Sequence, residues 1–153
     1  MMNGTAGVVE EIGLFVTKLR SFEGVVVYVP NGTVWSSAVQ NFSQAERRRV
    51  DITFGIGYDD DIDRAVHAID AVLGAEPRVL AEPAPMVAVE GLGDDSVDIL
   101  CRFWTLPADL FPTRFGITKA VKQRFDAEGI SIPYPQRDVH IVAAPDAGAR
   151  PAV

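Results

Sequence analysis

The apolar run at residues 25–29, four valines and a tyrosine, most constrains the fold of this chain. A strand that is apolar on both faces must be covered on both faces, by a barrel or by a neighbouring subunit. The surrounding segment, residues 8–42, has the pattern of short strands, and residues 8–16 form its first strand region. A unit of about 40 residues is marginally stable by itself. We therefore expect a small all-β unit that is completed by assembly.

Turn signals define the strands of this first unit. The sequence Ser21-Phe22-Glu23-Gly24 predicts a turn before the valine-rich strand, and Pro30-Asn31-Gly32 ends that strand. A polar stretch at residues 43–49 follows, and after it the hydrophobic pattern changes.

The second half of the chain alternates between strand and helix patterns. Residues 50–58 predict a strand. The aspartates at 59–61 supply helix caps before an amphipathic helix that Gly74 ends. The helical spacing is carried by Ile62, Ala65, Val66, Ile69, Val72 and Leu73.

A hairpin and a second helix complete the pattern. A proline-rich connection at 77–85 leads to strands at 86–92 and 96–104, with a turn at 93–95. Residues 109–128 predict a helix with Pro112 in its first turn and Gly129 at its end. A stiff Pro133-Tyr134-Pro135 spacer then precedes a short last strand at 139–142. The order β-α-β-β-α-β predicts a ferredoxin-like α+β domain with both helices on one face of the sheet.

Charge and cysteine content narrow the functional classes. The net charge of -7 and pI of about 4.7 argue against a broad nucleic-acid surface, because phosphate binding requires an excess of Lys and Arg. The single cysteine excludes an internal disulfide, and the N-terminus lacks a signal-peptide pattern, so a cytosolic setting is expected. No apolar run approaches the roughly 20 residues of a membrane helix.

Asp59, Asp61, Asp63 and Asp70 match four positions of a calcium-binding loop. The position that requires glycine is Arg64, however, and the apolar periodicity predicts a helix there. Helix capping explains these carboxylates more simply. We expect no metal site.

The remaining candidates for chemistry are isolated. His67 lies on the polar side of a predicted helix and His140 in the last strand, without a second ligand pattern. Cys101 alternates with apolar neighbours and is interpreted as a core residue. Gly55-Ile56-Gly57 is too short to hold a phosphate and is interpreted as a strand bend. We expect no catalytic residue and no cofactor, so the chain is not predicted to be an enzyme.

One basic cluster, Arg47-Arg48-Arg49, stands between the two predicted units. One interpretation is a solvated linker. The other is that these guanidinium groups, close to Glu46 and Asp51, form ion pairs between the units or line an aqueous opening. The sequence leaves both open.

Several short strings, in order along the chain, resemble the small-conductance mechanosensitive (MscS-type) channel family. In the first unit they are Val9-Glu10-Glu11-Ile12-Gly13-Leu14-Phe15 followed by Thr17, Tyr28-Val29-Pro30-Asn31-Gly32, and Asn41-Phe42-Ser43. In the second they are Arg48-Arg49, Gly57-Tyr58-Asp59 with Asp61-Ile62-Asp63, Phe125-Asp126 with Gly129-Ile130, and Ile132-Pro133-Tyr134-Pro135-Gln136. The likeness covers residues 4–142 and agrees with the independent two-unit pattern.

The resemblance implies a division into four segments. Residues 1–46 would form an Sm-like small β-barrel unit that lacks its first strand, and residues 47–136 the ferredoxin-like domain. Residues 137–143 would be a strand of an intersubunit barrel, and 144–153 a disordered tail. The family's membrane helices precede the matched region, where this sequence has only residues 1–6, so an unpaired strand edge is expected near residues 8–16.

The resemblance also implies a function. The family forms homoheptamers in the inner (plasma) membrane, with these units as a cytoplasmic vestibule through which ions and small osmolytes leave during hypo-osmotic stress. By position, Arg48, Arg49 and Asp51 would lie near side portals, and Tyr134, Pro135 and Gln136 would lead into the barrel strand. The β-domain motif residues would be Pro30, Asn31, Gly32, Asn41, Phe42 and Ser43.

Two alternatives of other classes stay open. An Sm-like unit beside an arginine cluster is also typical of an RNA-binding module, although the acidic total opposes it. A ferredoxin-like domain by itself is compatible with a regulatory module that binds a small ligand, because fold does not fix function.

Overall fold

A computed structural model describes residues 6–135 and residue 137 of the chain. The strands are β1 Gly7–Ile12, β2 Val16–Ser21, β3 Val26–Pro30, β4 Arg48–Ile56, β5 Met86–Leu92 and β6 Val97–Thr105. The helices are α1 Asn31–Trp35, α2 Ile62–Ala75 and α3 Leu110–Glu128, and a short 3-10 helix, Pro107–Asp109, precedes α3. The chain is thus mainly β in its first part and α+β in its second.

Strands β1, β2 and β3 form an antiparallel meander in that order. The prediction of one strand region over residues 8–16 was wrong in its extent. The amide of Gly13 donates to the carbonyl of Val16 at 2.9 Å and turns the chain between β1 and β2. The chain leaves β3 at Pro30, as predicted, but then forms the short helix α1, which the sequence pattern did not indicate.

This first sheet is open, with β1 and β3 at its edges, and the described residues do not close it into a barrel. It buries little of its own apolar surface. Of its strand residues, Thr17 and Leu19 in the central strand are buried. The valine-rich strand β3 alternates between exposed and half-buried positions rather than being covered on both faces. The described residues therefore do not provide the cover that was expected on both faces of this strand.

Strands β4, β6 and β5 form the second sheet in that order, with both outer strands antiparallel to β6. Since β4 and β5 run parallel to each other on either side of β6, this is the split βαβ arrangement of ferredoxin-like folds. Five of the six predicted elements are in place. The predicted strand at 139–142 lies outside the described residues.

One hydrophobic core lies between the second sheet and its two helices. Alternate residues of β4 and β6 point toward α2 and α3, and the Phe54 and Phe125 rings meet edge to face at 6.3 Å between centroids. The fully buried large side chains include Ile56, Ile69, Ile99, Phe103, Ile117, Val121 and Phe125. Both helices thus cover one face of the sheet, and the other face carries the polar groups described below.

The ends of the two long helices follow from local chemistry. Asp61 caps α2, because its side chain accepts a hydrogen bond from the Arg64 amide at 3.1 Å. The predicted end of α2 at Gly74 was wrong, since the helix continues through Ala75. Gly129 ends α3 as predicted, in the left-handed conformation with φ of 70° that glycine adopts without steric cost. Over residues 6–135, neither helix has the length and apolarity that a bilayer crossing requires.

Candidate functional site at the junction of the two sheets

The three junction arginines each contact a different group. Arg47 donates to the carbonyl oxygen of Glu82 at 3.1 Å. The guanidinium of Arg48 lies over the Phe42 ring, 4.3 Å from its centroid, in cation–π geometry. Arg49 forms an ion pair with Asp51 at 3.3 Å. The structure therefore brings Arg49 and Asp51 together, and it connects Arg48 to the Asn41-Phe42-Ser43 motif.

Asp51 has a second and tighter partner, Arg102, on the neighbouring strand β6. Two hydrogen bonds of 2.9 Å join the guanidinium to the two carboxylate oxygens, because Asp51 and Arg102 are direct cross-strand neighbours on the open face of the sheet. The hydrogen bond from Arg102 and the charges of Arg102 and Arg49 lower the pKa of Asp51, against an opposing effect of burial. Sequence reasoning missed Arg102, although strand alternation would place it on the same face as Asp51.

The Pro30-Asn31-Gly32 motif has a structural explanation centred on Asn31. The Asn31 side-chain amide donates to the carbonyls of Gly13 and Leu14 at 2.9 and 3.0 Å, and its oxygen accepts from the Thr17 hydroxyl at 2.9 Å. Asn31 therefore ties the start of α1 to the turn between β1 and β2. Pro30 pairs with Val16 at the end of the sheet, and the Gly32 carbonyl accepts a hydrogen bond from the Ser36 amide, immediately after α1.

The Asn41-Phe42-Ser43 motif lies against β1. The Asn41 side chain accepts a hydrogen bond from the Ser43 amide at 3.0 Å, which makes a local turn. Phe42 and its neighbours form one wall of a cavity of about 450 Å³, and Val9 and Leu19 form part of the other wall. The motif residues are thus brought together with the first sheet, and Phe42 stays 44% exposed.

Large apolar side chains remain uncovered around this sheet. Leu14 and Phe15, at the tip of the turn that Asn31 holds, are 84% and 78% exposed, and Trp35 at the end of α1 is 88% exposed. Further exposed apolar residues are Val8, Val9, Ile12, Phe22, Val25 and Tyr28. Large exposed apolar side chains in this number are more than the scattered single ones of an ordinary surface, and they favour a contact site.

At the opposite end of the second sheet, Tyr134 lines a cavity of about 340 Å³ together with Tyr58 and Pro133. The structure therefore joins the Gly57-Tyr58-Asp59 string to the Ile132-Pro133-Tyr134-Pro135 string, which lies more than seventy positions later in the sequence. Pro135 is exposed, and Gln136 lies outside the described residues. Tyr134 and Pro135, which were predicted to lead into the barrel strand, are thus separate in space from the junction residues Arg48, Arg49 and Asp51.

Several residues were considered as candidates for metal binding or catalysis and interpreted instead as structural. The described ones among them lie in a helix cap, in the core or at a close backbone contact. Asp61 caps α2, and the part of the chain that the structure describes contains no group of three His, Cys, Asp or Glu side chains arranged to hold a metal. Cys101 is fully buried in the core, where burial raises the pKa of its thiol to about 12. Gly57 was interpreted as part of a strand bend, but in the structure its lack of a side chain lets Ser131 and Asp60 approach the backbone closely. His140 lies outside the described residues.

The fold and these contacts define a class of protein: an open β meander and a split βαβ domain, joined by an arginine junction. Residues 1–44 match the family described as mechanosensitive ion channel, beta-domain, and residues 50–132 match the mechanosensitive ion channel MscS, C-terminal family. The chain belongs to the MscS family of mechanosensitive ion channels.

Individual relatives show the same match over most of the chain. An uncharacterised MscS family protein of Synechocystis is 36% identical over 139 residues, which cover 91% of this chain and 47% of that protein. A small-conductance mechanosensitive channel of Edwardsiella ictaluri is 33% identical over 148 residues, covering 97% of this chain and 52% of that channel. The chain thus spans about half the length of these relatives.

Solved structures agree with the fold. The crystal structure of Helicobacter pylori MscS in a closed state superimposes with a TM-score of 0.88 at 26% identity, covering 93% of this chain and 56% of that one. The cryo-EM structure of Arabidopsis thaliana MSL1 gives 0.73 at 21% identity over 88% of this chain and 50% of that one, which supports the fold alone.

Proposed function

We propose that this chain forms the cytoplasmic vestibule of a tension-gated channel that releases ions and small osmolytes under hypo-osmotic stress. The observation that carries the proposal is the ordered match of both units to a channel family, over nearly the whole chain. The protein works as a homo-oligomer, with seven copies as the expected number. Its full-length form lies in the inner (plasma) membrane, and the described units lie on the cytoplasmic side.

The uncovered apolar surface of the first sheet supports the assembly. Side chains such as Leu14, Phe15 and Trp35 would be costly to leave in water, at about 25 cal/mol for each Å² of apolar surface. The open edges of β1 and β3 present unpaired backbone groups, which natural proteins usually pair or cover. Neighbouring copies of the first unit would satisfy both needs at once.

We propose the following division of the chain. Residues 1–46 are the β unit, 47–136 the ferredoxin-like unit, 137–143 the strand of an intersubunit barrel, and 144–153 a tail. The first boundary is supported by the two family matches, which leave residues 45–49 between them. Arg48, Arg49 and Asp51 belong at this boundary, near the portals between the units, and Tyr134, Pro135 and Gln136 lead into the barrel strand.

The contacts of the junction favour a channel vestibule over an RNA-binding module. Arg49 is paired with Asp51, so part of the positive charge is already compensated, and Arg48 is held over the Phe42 ring. RNA binding draws most of its affinity from uncompensated Lys and Arg.

The test is electrophysiological. The full-length gene product is expressed in bacterial cells that lack their own mechanosensitive channels, and membrane patches are stretched by suction. Tension-dependent conductance and survival of hypo-osmotic shock are expected. A full-length protein that reaches the membrane but gives no conductance at tensions approaching membrane rupture would refute the function. Salt-sensitive RNA binding by the same protein would favour the alternative.

A further inference from the structure

The loop between β4 and α2 makes a dense set of hydrogen bonds to the segment that follows α3. One oxygen of the Asp60 carboxylate accepts from the Ser131 amide at 3.0 Å, from the Ser131 hydroxyl at 2.6 Å and from the Gly57 amide at 3.0 Å. The Gly57 amide also donates a hydrogen bond to the Ser131 carbonyl at 3.2 Å. Two segments that are 71 positions apart in sequence are thereby joined at one carboxylate.

The close approach of these groups depends on a glycine. A Cβ added at Gly57 would lie 2.7 Å from the Ser131 hydroxyl oxygen and 3.0 Å from the Asp60 carboxylate. Both distances are below ordinary van der Waals contact, so any larger residue at position 57 would push the two partners apart. This explains Gly57 by packing and not by its backbone angles.

The same loop is also anchored on its other side. The Tyr58 hydroxyl donates to the Gly93 carbonyl at 2.5 Å, in the turn of the β5–β6 hairpin. Ile130, immediately before Ser131, is buried and its amide donates to the Phe125 carbonyl at 2.9 Å. The chain is therefore fixed in the core up to Ile130, and Asp60 makes the next attachment along it.

We infer that Asp60 is a positioning residue that fixes the path of the chain as it leaves α3 toward the C-terminal segment. Three donors converge on its carboxylate, and charge-assisted hydrogen bonds of this kind are stronger and more directional than neutral ones. Residues 132–135 contain two prolines, so the direction set at Ser131 is transmitted through a stiff spacer. The consequence for assembly rests on the proposed function, in which the segment after Pro135 meets its copies in neighbouring subunits.

The test measures the path of the spacer directly. Cysteines introduced at two exposed positions by Asp94→Cys and Arg137→Cys, which leave both prolines of the spacer in place, carry spin labels. The distance between the labels is measured by pulsed electron paramagnetic resonance in dilute mixtures with unlabelled chain. Cys101 does not interfere, because it is fully buried. The wild-type background is expected to give a narrow distance distribution. Asp60→Ala is expected to broaden it at least twofold.

Matched variants separate positioning from folding. Asp59→Asn makes a charge change at the exposed neighbouring carboxylate and is expected to keep the narrow distribution. Ser131→Thr retains both donors and should also keep it, whereas Ser131→Ala should broaden it less than Asp60→Ala does. If Asp60→Ala fails to fold, the comparison of Ser131→Ala with Ser131→Thr decides. The inference would be overturned if Asp60→Ala and the wild type gave equal distance distributions. Where Asp60→Ala does not fold, equal distributions in Ser131→Ala and Ser131→Thr would overturn it.

Native mass spectrometry of the full-length protein gives the second measurement. We expect Asp60→Ala to reduce the oligomeric fraction about tenfold relative to Asp59→Asn at equal protein concentration. An unchanged oligomer with a broadened spacer would overturn the role in assembly. If the wild type itself stays monomeric at every concentration, the proposed assembly fails, and the label distances still decide whether Asp60 positions the chain.

Discussion

Replacing Asn31 tests whether the Pro30-Asn31-Gly32 motif holds the first sheet together. Asn31→Ala removes three hydrogen bonds, to Gly13, Leu14 and Thr17. At about 1 kcal/mol net for each bond, the sum is about 3 kcal/mol, and solvent reaching the exposed Leu14 carbonyl reduces it to about 2 kcal/mol. Thr17 is buried, at 6% exposed, and its hydroxyl loses its acceptor in this variant. Leaving a buried donor without an acceptor is itself costly, so we do not expect the loss of stability to fall below this value.

The isosteric change Asn31→Asp distinguishes these bonds from simple space filling. A carboxylate keeps the size of the side chain and the bond from Thr17, but it has no donor for the carbonyls of Gly13 and Leu14. Oxygen would then face oxygen at two positions, so we expect Asn31→Asp to destabilise at least as much as Asn31→Ala. Asn41→Ala is the control, because the Asn41 side chain accepts a bond only two residues away.

The assay is amide hydrogen exchange in β2 and β3 under native conditions, since the first sheet can open separately from the second. A loss of about 2 kcal/mol corresponds to roughly thirtyfold faster exchange where reclosing is faster than chemical exchange, because the exchange rate then follows the opening equilibrium. Asn41→Ala is expected to stay within about 0.5 kcal/mol of the wild type. Wild-type protection in Asn31→Asp would refute the reasoning, because it would mean that the two carbonyl contacts contribute nothing.

Three further predictions concern the second unit. Phe125→Ala, at a fully buried site, should lower the free energy of unfolding by about 3–5 kcal/mol in urea denaturation; a loss below about 1 kcal/mol would contradict the described core. Asp51→Asn should lower the free energy of unfolding at neutral pH, and the difference from wild type should shrink as pH falls below about 4. The pKa of Asp51 is lowered in the fold, so the carboxylate stabilises the protein above the ordinary aspartate pKa. This contribution is lost as the carboxylate is protonated in the folded state. A difference that grows in acid would have the wrong sign. Cys101 should resist thiol reagents at neutral pH until the protein is unfolded, since its thiol is buried with a pKa of about 12; rapid labelling of the native protein would contradict this.

Signals from neighbouring residues were sufficient to predict most of the strands and helices of the second unit. The strand at 86–92 was predicted with the bounds that β5 has, and the end of α3 at Gly129 follows from the conformational freedom of glycine. These elements are predictable because their signals lie within one turn or one strand of the residues concerned. The prediction of Gly74 as the end of α2 missed by one residue, since α2 runs to Ala75 and the Glu76 amide then donates to the Leu73 carbonyl.

What the sequence by itself determined is the order of the described elements in the second unit and the family likeness, because hydrophobic periodicity and short motifs are properties of neighbouring residues. What the tertiary structure alone decided is which distant residues meet. The pairing of Asp51 with Arg102 requires the register of β4 on β6, and the convergence of Asp60 with Ser131 requires α3 to return the chain to the end of β4. The uncovered apolar surface of the first sheet likewise emerges only in three dimensions, because the exposure of a side chain depends on how the strands are arranged and not on the sequence pattern alone.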